Sequence, residues 1–199
     1  MATTMEAESA QTTMLGRLRA GSPALVGAMC FAGATAMFMA GLAGAYLSVR
    51  NSNRGSFLPP EMKFNNYAAV LAAMSMLIAS IGAGWALHAT RFTHRRWMSM
   101  GFALAAFMGI ASLNLVWTIG AGLTFGVAEH PYAVVVYTLL GAAVVVLAIS
   151  VGSSLLAVTR CLGGQITAEQ PQLGRAAAWV VHIATITWIV VFALIYLYK

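Results

Sequence analysis

The chain has 199 residues, of which 60% are hydrophobic and only 8% are charged, and its formal net charge is +6. A soluble domain carries charges on about a quarter of its residues, so this composition excludes one and predicts an integral membrane protein. The positive charge is not a nucleic-acid signal, because the basic residues lie at the ends of apolar segments, where they set the orientation of a membrane protein.

Residues 1–22 are polar and lack the basic start and short apolar core of a secretory signal, so they are predicted to form a mostly disordered tail. Residues 23–199 are predicted to form an all-α membrane domain, a bundle of five transmembrane helices. The apolar segments cover approximately residues 23–49, 66–90, 97–123, 132–159 and 173–198. Prolines stand at or just before the starts of segments, where a helix tolerates them: Pro23, Pro60, Pro131 and Pro171.

Basic residues predict the orientation of this bundle. With the N-terminus inside, the cytoplasmic side carries seven basic residues and the outer side four. This excess predicts a cytoplasmic N-terminus and a C-terminus on the outer, periplasmic side. Arg95 and Arg96, with Trp97 beside them, are candidates for a phospholipid head-group site, and plain topology-setting charge is the alternative.

Small residues recur at fourfold spacing in the first two segments, which predicts ridges where helices approach closely. These residues are Ala36, Ala40 and Gly44, then Ser75, Ala79 and Ala83.

Ionisable groups are almost absent from the predicted spans. The chain has no Asp, and its five Glu fall in the tail or in loops, so a self-contained proton relay or ion-coupled carrier is poorly supported. His182 is the ionisable residue inside a span, and we expect it to be hydrogen-bonded within the bundle; a haem between His88 and His182 is a weaker alternative. Cys30 and Cys161 have no metal-ligand or redox spacing, and the residues predict no catalytic or metal site in this chain.

The final helix contains His182, Thr185 and Trp188, followed by an aliphatic run and Ile195-Tyr196-Leu197. This pattern resembles the closing helix of subunit III of haem-copper cytochrome oxidases. The first helix reads Thr35-Ala36-Met37-Phe38-Met39-Ala40-Gly41-Leu42, with Tyr46 and Arg50 after it. It resembles the family motif Glu-Leu-Met-Phe-Phe-Ala-Gly-Leu, which an aromatic residue and a helix-ending Arg follow. Pro59, Pro60 and Asn65 match the family's Trp-Pro-Pro loop and the Asn that opens its next helix.

The resemblance covers about residues 23–199 and implies the short bacterial form with five helices. The departures are systematic, because Thr35 replaces a family glutamate and Thr185 replaces an acidic residue of the final helix. The Gln-x-x-Glu motif of the middle helix has no counterpart around residues 113–118, and the fourth helix lacks the usual histidines.

The family likeness implies an accessory, metal-free and non-catalytic subunit of a bacterial plasma-membrane oxidase that passes electrons from cytochrome c or quinol to oxygen. It also implies contact mainly with subunit I, and with subunit II and other subunits, bound phospholipid, and haem and copper in the partner subunits. Two alternatives stay open. One is a subunit III-like component of another membrane complex, such as a nitric oxide reductase accessory; the other is a stand-alone small-solute carrier or b-haem protein.

Overall fold

A computed structural model describes residues 22–53, 66–90, 92, 94–123, 125–127, 130–167 and 170–197. Five helices in these ranges are long and apolar enough to cross a membrane. They are α1 (Pro23–Ser52), α2 (Asn66–Thr90), α3 (Arg95–Ala121), α4 (Pro131–Leu162) and α5 (Gln172–Phe192), and α5 continues as a π-helical turn over Ala193–Leu197. The predicted tail up to residue 21, and Pro59, Pro60 and Asn65, lie outside the described residues.

The ends of the helices follow local residue chemistry. α1 begins after Ser22, whose hydroxyl accepts a hydrogen bond from the backbone N–H of Leu25 at 3.3 Å, and Pro23 fills the first helical position. α4 also begins at a proline, Pro131, after the extended residue His130. Proline therefore marks these two starts in the structure as it does in the sequence.

α4 ends in a glycine-dependent turn. Gly164 has φ of +74°, a left-handed conformation that side chains with a Cβ disfavour. This conformation brings the N–H of Gln165 back to the carbonyl of Arg160 at 2.9 Å, which satisfies a carbonyl that the helix itself leaves open.

The contacts between helices define an up-and-down bundle. Ser112 of α3 lies against Ala72 near the start of α2, whereas Gly101, near the start of α3, lies against Ala86 near the end of α2, so these two helices are antiparallel. Three other pairs are antiparallel by the same criterion, because residues early in one helix contact residues late in the other: α3 with α4, α2 with α5, and α1 with α4. One end of the bundle carries Arg95, Arg96, Arg160 and Arg175 and is called the basic end. The opposite end carries Tyr46, Tyr132 and Tyr196 and is called the tyrosine end.

The tightest helix contact joins α2 and α3. A Cβ placed on Gly101 would lie 2.8 Å from the carbonyl oxygen of Gly82 and 2.8 Å from the Cβ of Ala86. Ala79 and Ala83 are also buried, which confirms the predicted packing role of those two residues of the α2 ridge; its third member, Ser75, is half-buried.

The predicted role of the α1 ridge is wrong for packing within this chain. Ala36, Ala40 and Gly44 are exposed, and a Cβ on Gly44 would meet no atom within 4 Å. The physical reason is that α1 packs mainly on α4 and α5, and it does so with a different face that includes Met39 and Tyr46.

Candidate functional site

His182 bonds across the α2–α5 contact. Its ring nitrogen Nδ1 lies 2.7 Å from the hydroxyl of Ser80, and both residues are half-buried. The bundle hydrogen bond expected for this imidazole therefore has Ser80 as its partner. In sequence, nothing separates Ser80 from other helical serines, and only the folded arrangement identifies it.

Two more hydroxyls bind backbone carbonyls on the same face of α2. Thr185 of α5 donates to the Met76 carbonyl at 3.1 Å and lies 2.9 Å from the carbonyl of Val181 in its own helix. Ser112 of α3 donates to the carbonyl of Ala72 at 3.3 Å. Positions 72, 76 and 80 follow one another at the spacing of one helical turn.

This column of polar contacts along α2 joins three helices. Ser112 and Thr185 bind backbone carbonyls in the interior, and Ser80 binds the half-buried imidazole; the alternative in each case is an unsatisfied polar group in a hydrocarbon medium. The arrangement fixes helix positions, and among the described residues the one acid–base side chain bonded to a hydroxyl of this column is His182, at Ser80.

The residues of the first family-like motif separate onto two faces of α1. Thr35 is buried, whereas Met37 and Phe38 are 80% and 55% exposed and Gly41 is also exposed. The structure therefore turns the threonine toward the bundle and presents the methionine, the phenylalanine and the glycine to the surroundings.

The tyrosine end gathers other predicted residues. The rings of Tyr46 and Tyr132 lie 6.2 Å apart, and Arg50 follows Tyr46 by one turn. Tyr196 stacks on Phe192 at 5.3 Å in the final turns of α5.

Trp188 is completely buried in the same core cluster as Tyr46. Its indole Nε1 has no hydrogen-bond partner among the described residues. The Trp188 side chain therefore contributes mainly apolar packing, and its Nε1 is a polar atom buried in the core.

At the basic end, Arg95 binds the end of α4. Its Nε donates to the carbonyl of Cys161 at 2.9 Å, and the Cys161 thiol reaches the Arg95 carbonyl with an S···O distance of 3.6 Å. A cation at a helix C-terminus is favourable because the last carbonyls carry partial negative charge. Arg96 and Trp97 remain exposed, and Trp97 packs on Trp85 with ring centroids 5.5 Å apart.

An open cleft of about 270 Å³ lies between α1, α4 and α5, toward the basic end. The residues that line it are Ala24, Gly27, Ala28, Phe31, Ile149, Ser153, Leu156, Leu173, Ala176, Ala177 and Val180. Arg160 follows Leu156 by one turn on the same face of α4, so a cation stands beyond the apolar lining.

The histidines considered for a haem are not brought together. His88 is exposed at the end of α2 beside Phe92, whereas His182 is bonded to Ser80, which precedes His88 by two turns or about 12 Å along the helix. Among the described residues, no group of three His, Cys, Asp or Glu side chains is placed to hold a metal ion.

Comparisons with known proteins add no family to this picture. No protein-family model matches the chain, and no curated protein matches it either.

Proposed function

We propose that this chain is an accessory, metal-free subunit of a haem-copper terminal oxidase. In this role it packs beside subunit I in a bacterial plasma membrane, with its N-terminus in the cytoplasm and its C-terminus outside. The haem and copper of the reaction belong to the partner subunits, and this chain supplies packing surface and lipid contacts.

The observation that carries the proposal is the exposed ridge of α1. Ala36, Ala40 and Gly44 form a small-residue ridge of the kind that lets membrane helices approach closely, yet none of the five described helices covers it. An accessory subunit needs such a face for its neighbour. Met37 and Phe38, from the motif that resembles subunit III, are exposed on the same helix.

The polar groups of the interior support a scaffolding role. Ser80, Thr185 and Ser112 bind within the bundle along α2, and Thr35 and Thr185 stand where the family has acids. A chain that uses its buried hydroxyls for helix packing is suited to holding a fixed shape beside a redox partner.

The cleft beside α4 supports the expected phospholipid. Its lining is apolar along Leu156 and Val180, and Arg160 stands at its basic end. An acyl chain fits the apolar part, and a head-group phosphate pairs with a cation at the membrane surface. Arg96 and Trp97 are exposed at the same end of the bundle and offer a second head-group contact.

Purification from native membranes tests the proposal. The tagged full-length chain is isolated in a mild detergent, the co-purifying proteins are identified by mass spectrometry, and a visible spectrum of the complex is recorded. We expect haem-copper oxidase subunits and their haem absorption in the complex, and a Soret band that disappears when the chain is separated from them. Stable partners without any haem-copper subunit would overturn the assignment.

A subunit III-like component of another membrane oxidase or reductase is the second candidate. The specific observation in its favour is that Thr35 and Thr185, both buried, occupy the positions of family acids. The same purification separates the two candidates, because the catalytic partner of a nitric oxide reductase differs in sequence and metal content from that of a terminal oxidase.

A further inference from the structure

His182 has one ring nitrogen bonded within the bundle and one that is not. Its Nδ1 lies 2.7 Å from the Ser80 hydroxyl, whereas Nε2 has no hydrogen-bond partner among the described residues. The residue is half-buried, so the imidazole lies at the surface between α2 and α5.

The Ser80 contact fits either tautomer of His182. An unprotonated Nδ1 accepts from the Ser80 hydroxyl, and a protonated Nδ1 donates to its oxygen. Nε2 is a hydrogen-bond donor in the first tautomer and an acceptor in the second. In both it is a polar atom that requires a partner other than Ser80.

The surroundings of this nitrogen are apolar. His182 lies about 15 Å along α5 from its first residue, so it stands within the hydrocarbon thickness of a membrane. Trp179 and Ile186 of α5 and Leu77 and Ile81 of α2 are exposed around it. Lipid tails offer no hydrogen-bond partner at that depth, and an unpaired polar atom there is costly.

The outward strip of α5 is flanked by two other helices. α5 contacts α1 through Val180 and contacts α2 through Thr185, and at about 100° per residue the exposed Ile186 falls between these two directions. On α1, Ala36 and Ala40 lie on the side turned away from the cleft, toward the same strip. The exposed ridge and the imidazole thus belong to one face, formed by α1, α5 and α2.

We propose that this α1–α5–α2 face receives a transmembrane helix of the partner subunit, and that this helix offers a hydrogen-bonding side chain to His182 Nε2. A serine or threonine hydroxyl suits the site, because a hydroxyl both donates and accepts and so matches either tautomer. The inference rests on the proposed accessory role, since it requires a membrane partner, and it adds the face, the depth and the chemistry of the contact.

Site-specific photocrosslinking in native membranes tests the face. A benzophenone amino acid replaces Ile186 on the proposed face, and Phe107 of α3, which is 67% exposed elsewhere, serves as the matched position. We expect Ile186 to yield an adduct with a transmembrane segment of the partner and Phe107 to yield lipid adducts. Only lipid adducts at Ile186, or partner adducts at Phe107 alone, would overturn the proposal.

Substitutions of the histidine test the bond. His182→Phe keeps a ring but removes both nitrogens, whereas His182→Gln keeps an N–H donor and an oxygen acceptor, and Ser80→Ala removes the internal bond while leaving Nε2 in place. We expect retention of the partner during detergent titration to fall about three- to tenfold in H182F, to recover partly in H182Q, and to stay near wild type in S80A. If S80A loses as much partner as H182F, the effect arises inside the bundle and the proposed contact is wrong.

The identity of the crosslinked partner separates the two proposals. A haem-copper subunit bound through Ile186 supports both. A different membrane protein crosslinked at Ile186 supports the docking face and rejects the oxidase assignment. A haem-copper subunit that crosslinks only through other helices supports the oxidase assignment and rejects the docking face.

Discussion

Gly101 is the position where a single methyl group tests the fold most directly. In Gly101→Ala, the new Cβ meets the Gly82 carbonyl oxygen and the Ala86 Cβ at 2.8 Å, and the Ala86 backbone nitrogen at 2.9 Å, where ordinary contact begins near 3.4 Å. Two of these neighbours are backbone atoms and the third is a rigid methyl group. α2 and α3 must therefore move apart along the contact that holds them.

The expected magnitude follows from overpacking. Inserting a methyl group into a close-packed contact costs about 1–3 kcal/mol, while alanine in place of glycine in a helix gains up to about 1 kcal/mol. Gly141→Ala isolates the second effect, because Gly141 is exposed within α4 and a Cβ there meets nothing within 4 Å. The difference between the two variants, about 1–3 kcal/mol, is the cost of the clash alone.

The measurement is the free energy of unfolding in mixed micelles, obtained by SDS titration with circular dichroism. Gly82→Ala provides an intermediate case, because its Cβ would lie 3.0 Å from the Gly101 carbonyl oxygen. We expect stability to decrease in the order G141A, G82A, G101A. A G101A variant as stable as G141A would show that α2 and α3 do not approach as described.

Three further changes, two of them with a matched control, test a hydrogen bond and the C-terminal end of α4 by the same titration. Thr185→Val removes a hydroxyl bound to a carbonyl of α2, and we expect a loss of about 0.5–2 kcal/mol. Arg95→Met removes a donor from the end of α4 and should cost about 1 kcal/mol, whereas Arg96→Met should stay within about 0.5 kcal/mol. Gly164→Ala, at φ of +74°, should cost about 1 kcal/mol, whereas Gly163→Ala, at φ of −74°, should cost little.

Each of these expectations has an outcome that would contradict it. Equal losses from the two arginines would mean that the guanidinium of Arg95 does not bind the helix end. Equal losses from the two glycines would mean that the turn after α4 does not need a left-handed residue. An unchanged T185V would remove Thr185 from the polar column along α2.

The helices could be predicted from the sequence because a membrane span has strict requirements. Each must satisfy its backbone groups internally over the hydrocarbon thickness, so an apolar run that begins at Pro131 and ends before Gly163 has few other interpretations. Which helices touch could not be predicted. The spacing of Ala36 and Ala40 matches that of Ala79 and Ala83, yet only the second pair is buried within the chain.

The polar column shows the same limit. A serine in a helix commonly binds a carbonyl of its own preceding turn, as Ser75 does with Leu71, and its sequence environment does not distinguish it from Ser80. The partner of His182 is more than a hundred residues away along the chain, at a separation of 102 positions. Antiparallel register, set by packing along the whole α2–α5 contact, brings the two together.

The position of α1 has a consequence for how the molecule is made. Among the five described helices, α1 is synthesised before the other four and packs mainly on α4 and α5, which follow α2 and α3 in the chain. After insertion, α1 therefore reaches its main neighbours among these helices only when α4 and α5 have been synthesised, and α5 contacts α1, α2 and α4. A ribosome that stops before α5 leaves an incomplete bundle in which α1 lacks its contact with α5, and such a form exposes surface that quality-control proteases of the membrane can recognise.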